Sequence, residues 1–223
     1  MATRVTPLRR ARERELVAAT RALFDEQGIQ DAPVEKIARQ VGIARGLIYR
    51  HFSSKDELYV LTVTHYLDEL AGELEAALRD EDDPALRLER ATETYANYCL
   101  RYPAFIDCTL ALMRGPAREL HETVSESVWL RLGQGIARCS NYIAEIVRAG
   151  TESGAFAVAD ADYMANVLWT QTLGIMHLAR IRVGIRQLAE GVPGLFKVAP
   201  EDIVQTCITS AMATVGAQPR PPG

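Results

Sequence analysis

Between Gly42 and Leu58 the chain reads GIARGLIYRHFSSKDEL, a run of side chains suited to gripping a polyanion. Arg45, Arg50 and Lys55 are cationic, Tyr49 and His51 pair a ring with a polar atom, and Gly46 has no side chain. At about 100° per residue, Ile48 and Phe52 share one face of a helix over 44–52, with Ala44 near it. Gly46 and Arg50 lie opposite, flanked by Leu47 and Tyr49. Such a helix hides its apolar side and offers the rest to a DNA major groove. Gly46 admits close approach, and Arg50 can bridge guanine O6 and N7. The Tyr49 hydroxyl suits a phosphate. Arg45 stands at the N-terminal end, where recognition helices read bases. Leu47 can meet a thymine methyl, and Lys55 adds charge beside a helix start. Ala44, Arg45, Gly46, Leu47, Tyr49, Arg50, His51 and Lys55 form the candidate DNA-binding set.

Three short helices must position that face. Leu16, Ala19, Thr20, Leu23 and Phe24 recur at helical spacing, and Gly28 can end the first helix. Val34, Ile37, Ala38 and Val41 make a second, stopped at Gly42. Residues 44–52 are the third. Ser54-Lys55-Asp56-Glu57 then has the capping-box pattern, which predicts a long fourth helix to about Asp80. Pro84 opens a fifth through Tyr102, and Pro103 opens a sixth. Further helices are predicted over much of 118–150, over about 160–183, and from about Glu201 to Val215. Gly184, Gly191, Pro193 and Gly194 make 184–199 read as loop, with no convincing strand pair. The expected fold is all-α. Residues 1–53 form a three-helix helix-turn-helix DNA-binding domain. Residues 54–217 form a larger helical domain, about nine helices in all. A disordered tail covers 218–223.

Charge is split along the chain. Residues 1–55 hold 11 Lys+Arg against 6 Asp+Glu, and the remainder holds 14 against 23. Only the front is therefore expected to meet a polyanion, unless the imbalance is chance. Arg4, Arg9, Arg10, Arg12 and Arg14 form an arm that reaches a phosphate or minor groove, or is merely solvated. Cys99, Cys108, Cys139 and Cys207 are far apart with no C-x-x-C pair, so they read as reduced core residues. No apolar run reaches the roughly 20 residues that span a bilayer, and no signal-peptide core follows the basic start. A cytoplasmic protein without membrane partner, metal or cofactor is expected. G-x-S-x-G, H-E-x-x-H, Walker and dinucleotide fingerprints are absent, so the chain is read as not an enzyme. A helical adaptor with a basic protein-binding end, or an enzyme with shape-dependent residues only, are the rival readings.

VEKIARQVGIARGLIYRHFSSKDEL resembles the DNA-binding signature of the TetR family of bacterial regulators. Ile37-Ala38, Gly42, Gly46, Tyr49, Phe52, Ser54-Lys55 and Leu58 carry the resemblance, which covers about residues 10–60. Pro33 stands where the family usually has a capping Thr or Ser, so the cap passes to Asp31 or Ala32. Ala44 and Leu47 replace a favoured Ser or Thr, which implies a different base preference.

The resemblance implies a homodimer on a palindromic double-stranded DNA operator, released by a small-molecule effector, with repression as the default and activation as the alternative. It places the dimer seam on the last two long helices. There Ile203, Val204, Cys207, Ile208, Ala211, Met212 and Val215 form one stripe, and Tyr163, Met164, Val167, Leu168, Gln171, Ile175 and Leu178 another. Monomer core is the alternative for both stripes. It also implies a ligand cavity, with Tyr66, Tyr95, Tyr98, Tyr102, Phe105, Met113, Trp129, Trp169, Thr172, Met176 and His177 as candidate lining. Core packing or the seam competes for each, and His177 also reads as a satisfied core histidine. Few cations in this region favour a largely apolar effector.

Overall fold

Apolar residues at helical spacing, cut by glycine and proline, give nine helices and one β-hairpin among the described residues of this computed structural model. Those residues are 7–28, 34–114 and 121–217. The helices are α1 (Pro7–Gln27), α2 (Val34–Val41), α3 (Arg45–His51), α4 (Lys55–Leu78), α5 (Pro84–Arg101), α6 (Pro103–Arg114), α7 (Glu126–Glu152), α8 (Ala161–Ile181) and α9 (Pro200–Thr214). Strands β1 (Val183–Ala189) and β2 (Val192–Lys197) separate the last two. The expected caps at Asp31 or Ala32, Arg4 of the arm, and the 218–223 tail lie outside the described residues.

The chain divides into two compact units. One is Met1–Asp68 with Asp107–Gly135, and the other is Glu69–Ile106 with Ile136–Gly223. In the first, α1 buries Leu16, Val17, Thr20, Leu23 and Phe24, and α2 buries Val34, Ile37 and Ala38. The α2–α3 turn is fixed by a Schellman motif: Ile43 N–H reaches the Ala38 carbonyl at 2.9 Å, and Gly42 N–H reaches Arg39 at 3.1 Å. Gly42 supplies the left-handed conformation this needs, at φ 70°. Tyr66 closes the joint between α1 and α4. Its hydroxyl donates to Asp25 at 2.6 Å, and the Arg21 guanidinium lies 4.3 Å from its ring centre.

In the second unit α5, α8 and α9 pack on one another. Asp83 caps α5 by accepting from Ala85 and Leu86 at 2.9 Å, with Pro84 at the first helical position. Asp160 caps α8 by accepting from Tyr163. Gln171 and Thr214 are joined at 3.0 Å, tying α8 to α9.

The segment 184–199 is not a loop. It forms an antiparallel hairpin pairing Val183 with Lys197, Ile185 with Leu195 and Gln187 with Pro193. Its glycines misled the sequence reading because they serve packing as well as turning. A Cβ on Gly184 would sit 2.3 Å from the Phe196 ring, and one on Gly194 would sit 2.4 Å from Leu188. Each glycine leaves room for an apolar side chain to lie across the opposite strand.

Candidate nucleic-acid interface

Helix α3 is amphipathic in the sense its sequence requires. Ile48 and Phe52 are each 1% exposed, held under α1 and α2 by burial of their apolar area. Ala44, Arg45, Gly46, Leu47, Tyr49 and Arg50 are exposed, and so is Lys55 at the start of α4. A Cβ built on Gly46 would meet nothing within 4 Å. The chain itself therefore does not demand glycine there. The bare position leaves space for something outside the chain. His51 differs from the rest of the candidate set. It is half-buried, its ring lies 6.4 Å from that of Phe52, and its buried Nδ1 has no hydrogen-bond partner.

Arg45 is already engaged. Its guanidinium meets the Glu35 carboxylate of α2 at 2.6 Å and lies 5.9 Å from the Tyr49 ring centre. Both ion-pair partners are about half exposed, so solvent and salt screen the pair and its release is cheap. The sequence did not signal this pairing, since the partners stand on different helices.

The root of the reading helix is tied down by α4's first turn. Ser54 Oγ accepts from Glu57 N–H at 3.0 Å and donates to the Thr123 carbonyl at 2.9 Å. Glu57 reaches back to the Ser53 N–H, not that of Ser54, and also accepts from the Ser125 hydroxyl. Burial favours the neutral acid at Glu57, yet these hydrogen bonds outweigh it and hold the carboxyl below its ordinary value. The capping box was legible; its extension to Thr123 and Ser125 was not. Beside this corner lies an open cleft of roughly 1140 Å³, where Arg10, Arg14, Arg50 and Arg131 stand with Glu13 and Asp68. Arg12 is paired with Glu15 at 2.6 Å. The side chain of Arg9 lies outside the described set.

The cavity candidates separate. Tyr66, Met113 and Trp129 belong to the first unit. Tyr66 is spent on the α1–α4 joint, where burial and the Asp25 hydrogen bond push its hydroxyl well above the usual phenol range. Met113 is exposed, and Trp129 packs edge-on to His121 at 5.3 Å. In the second unit Tyr98 meets Tyr102 and Phe105 edge-on at 4.9 and 5.3 Å, and Tyr95 meets Phe105 at 6.2 Å. The Tyr98 and Tyr102 hydroxyls donate to Glu69 at 3.3 and 3.2 Å. Tyr95 is 8% exposed and its hydroxyl has no hydrogen bond of adequate geometry. Burial drives it far above its ordinary pKa, with Cys99 adding to the rise and Trp169 opposing it. Thr172 and Met176 are buried on α8, and Met176 Sδ accepts from Cys207 at 3.7 Å. His177 is exposed, which corrects its reading as core or cavity residue: it sits on the outward side of α8.

The seam candidates also divide. Ile203, Cys207 and Ala211 are buried within the chain, because α9 turns that face to α5 and α8. They are core, not seam. Val204, Ile208 and Met212 remain partly exposed.

The profile of bacterial regulatory proteins of the tetR family matches residues 16–61, the stretch from α1 into α4 that sets up this face. Over these residues the chain is similar to the tetR family. It is 32% identical over 87 residues to the transcriptional activator FasR of Mycolicibacterium smegmatis, a match over 39% of this chain and 40% of that protein. To the transcriptional regulator HbdR of Aromatoleum sp. it is 27% identical over 143 residues, covering 64% and 59%. The chain thus spans about half the length of the curated relatives it matches. Two solved structures share its fold. The TetR family regulator PfmR of Thermus thermophilus aligns with TM-score 0.60 and 20% identity, over 92% of this chain and 99% of its own. RolR, solved with resorcinol, aligns with TM-score 0.66 and 17% identity, over 95% and 90%. Among the described residues no helix is long and apolar enough to cross a membrane, and no His, Cys, Asp and Glu cluster could hold a metal ion.

Proposed function

We propose that the chain is a transcriptional regulator that binds double-stranded operator DNA as a homodimer, represses from it, and is released by a small, largely apolar effector. The outward face of α3 carries this reading: a bare Gly46 between Arg45, Tyr49 and Arg50, with Ile48 and Phe52 beneath. A two-fold pair of such helices, about 34 Å apart, reads successive major grooves of a palindrome. The partly exposed Val204, Ile208 and Met212 of α9, with Val167, Ile175 and Leu178 of α8, supply a seam for the pair. The aromatic group around Tyr95, with one unpartnered hydroxyl, supports an effector that is mostly apolar and brings one polar atom. Effector binding has to favour the non-reading conformation by about 1–3 kcal/mol. Activation is the second reading, favoured by the name of FasR.

The test is a footprint and gel shift on DNA upstream of the chain's own coding region. Arg50→Ala and Tyr49→Phe weaken a salt-sensitive shift while circular dichroism stays unchanged. Normal binding by both variants refutes the assignment of α3. A promoter fusion with and without the protein separates repression from activation.

A further inference from the structure

The cleft beside the α3–α4 corner lies wholly within the first unit, and four helices line it. Arg10, Glu13, Arg14 and Val17 follow i, i+3, i+4, i+7 spacing, so α1 turns one face to it. Arg50 comes from the last turn of α3, and Arg131 from the second turn of α7. Val17, Phe52, Leu61 and Val128 are buried and give the cleft an apolar floor. The four arginines around it are exposed, and none makes an ion pair or hydrogen bond with another described residue. The carboxylates of the cleft are engaged. Glu57 accepts from Ser53 and Ser125 with its two oxygens, and Glu13 and Asp68 each interact with another group. Arg10 and Arg14 stand one helical turn apart, where like charges repel. The unmet charge of this recess is therefore positive, in a chain whose net charge is −4. His51 also lines it, and its buried Nδ1 lacks a hydrogen-bond partner.

We infer that this cleft binds a small polyphosphate anion, and that its occupant competes with DNA for Arg50. Guanidinium forks bond phosphoryl oxygens in pairs, and four of them call for a ligand with two or more phosphoryl groups. The cleft, at roughly 1140 Å³, has the scale of a small-molecule site and holds more than the phosphates alone. Tyr49, which also lines it, offers an exposed ring on which a flat organic group can stack. A nucleoside di- or triphosphate meets these requirements. A duplex presents its phosphates on a broad convex rod, whereas a recess with a buried apolar floor suits a small anion. Arg131 and Arg14 hold the anion beside Arg50, so occupancy withdraws Arg50 from the outward face of α3. Ligand and operator then weaken each other by the same factor, typically about 5- to 150-fold in coupled sites. This competition rests on the DNA-binding reading above; binding in the cleft does not.

Calorimetric titration of the full chain with inorganic pyrophosphate, and separately with adenosine triphosphate, tests the site without DNA. Potassium chloride holds the ionic strength constant. Saturable binding at one site per chain is expected for both, equal or tighter for the nucleotide. Arg131→Gln and Arg14→Gln each change an exposed side chain, and each raises the dissociation constant at least about 10-fold with unchanged circular dichroism. No saturable heat from either anion, or binding that both variants leave intact, overturns the site and leaves the DNA-binding reading standing. Gel shifts then test the competition. Saturating pyrophosphate weakens the wild-type shift at least about 5-fold beyond chloride of equal ionic strength. Arg131→Gln shifts operator normally in chloride and loses that response. If Arg131→Gln already weakens the shift in chloride, Arg131 belongs to the DNA contact and the small-anion site is refuted. A chain that shifts no DNA removes the competition along with the proposed function, while the calorimetry still decides the cleft.

Discussion

Replacing Glu57 with alanine removes the group that fixes the α3–α4 corner. Glu57 is 7% exposed and accepts hydrogen bonds from the Ser53 N–H and the Ser125 hydroxyl. Hydrogen bonds to an ionised group contribute about 1.5–3 kcal/mol each, and the desolvation of the carboxylate offsets part of the two. The net expectation is a loss of about 2 kcal/mol. For a chain of this length about 1 kcal/mol shifts the melting temperature by 2–4 °C, so Glu57→Ala melts roughly 5 °C lower at pH 7. Glu57→Gln keeps one acceptor oxygen, and its amide can donate to a rotated Ser125 hydroxyl, so it loses about half as much. The pH dependence follows from the lowered folded-state pKa. The stabilisation is fully present above the unfolded carboxyl's pKa of about 4.3 and disappears as pH falls through that value toward the folded one. Wild type and Glu57→Ala therefore converge in acid. Thermal unfolding followed by circular dichroism at pH 7 and at acid pH is the assay. Equal melting temperatures at pH 7, or a gap that persists undiminished in acid, refute the reasoning.

Other substitutions separate folding from function. Gly46→Ala meets open space and improves helix propensity, so it stabilises the chain by up to about 1 kcal/mol, while gel shifts show weakened operator affinity. Gly150→Ala places a methyl 2.0 Å from the buried Phe156 ring; the forced repacking costs about 1–3 kcal/mol, read as a lower urea midpoint. Tyr95→Phe removes a buried hydroxyl that has no partner, so urea unfolding shows a gain of about 1 kcal/mol, and the release of operator DNA by effector becomes weaker.

Where periodicity and punctuation agreed, the sequence was sufficient. The Pro84 start of α5, the Gly42 turn and the inward Ile48 and Phe52 of α3 were all legible, because each depends on residues a few positions apart. Failures came where partners are distant in sequence. Glu35 with Arg45, and Glu57 with Ser125, leave no local trace. The hairpin was hidden for another reason: Gly184 and Gly194 read as turn residues, whereas they make room for Phe196 and Leu188. Apolar periodicity likewise could not say which side of α9 faces α5, and so assigned Ile203, Cys207 and Ala211 to a seam. His177 was misread because one histidine in an apolar helix carries no directional signal.

The Arg45–Glu35 pair has a thermodynamic corollary for how this protein would leave its operator. A cation that docks on DNA from bulk solvent displaces a condensed counterion, and each such exchange steepens the fall of affinity with salt by about 0.9 in the logarithmic slope. Arg45 arrives carrying its own carboxylate. Transfer of the guanidinium to a base leaves Glu35 to gather a cation from solution, which offsets the ion that the DNA gives up. Neutralising Glu35 as glutamine should therefore steepen the salt response by nearly one further ion, even as it frees Arg45 to read.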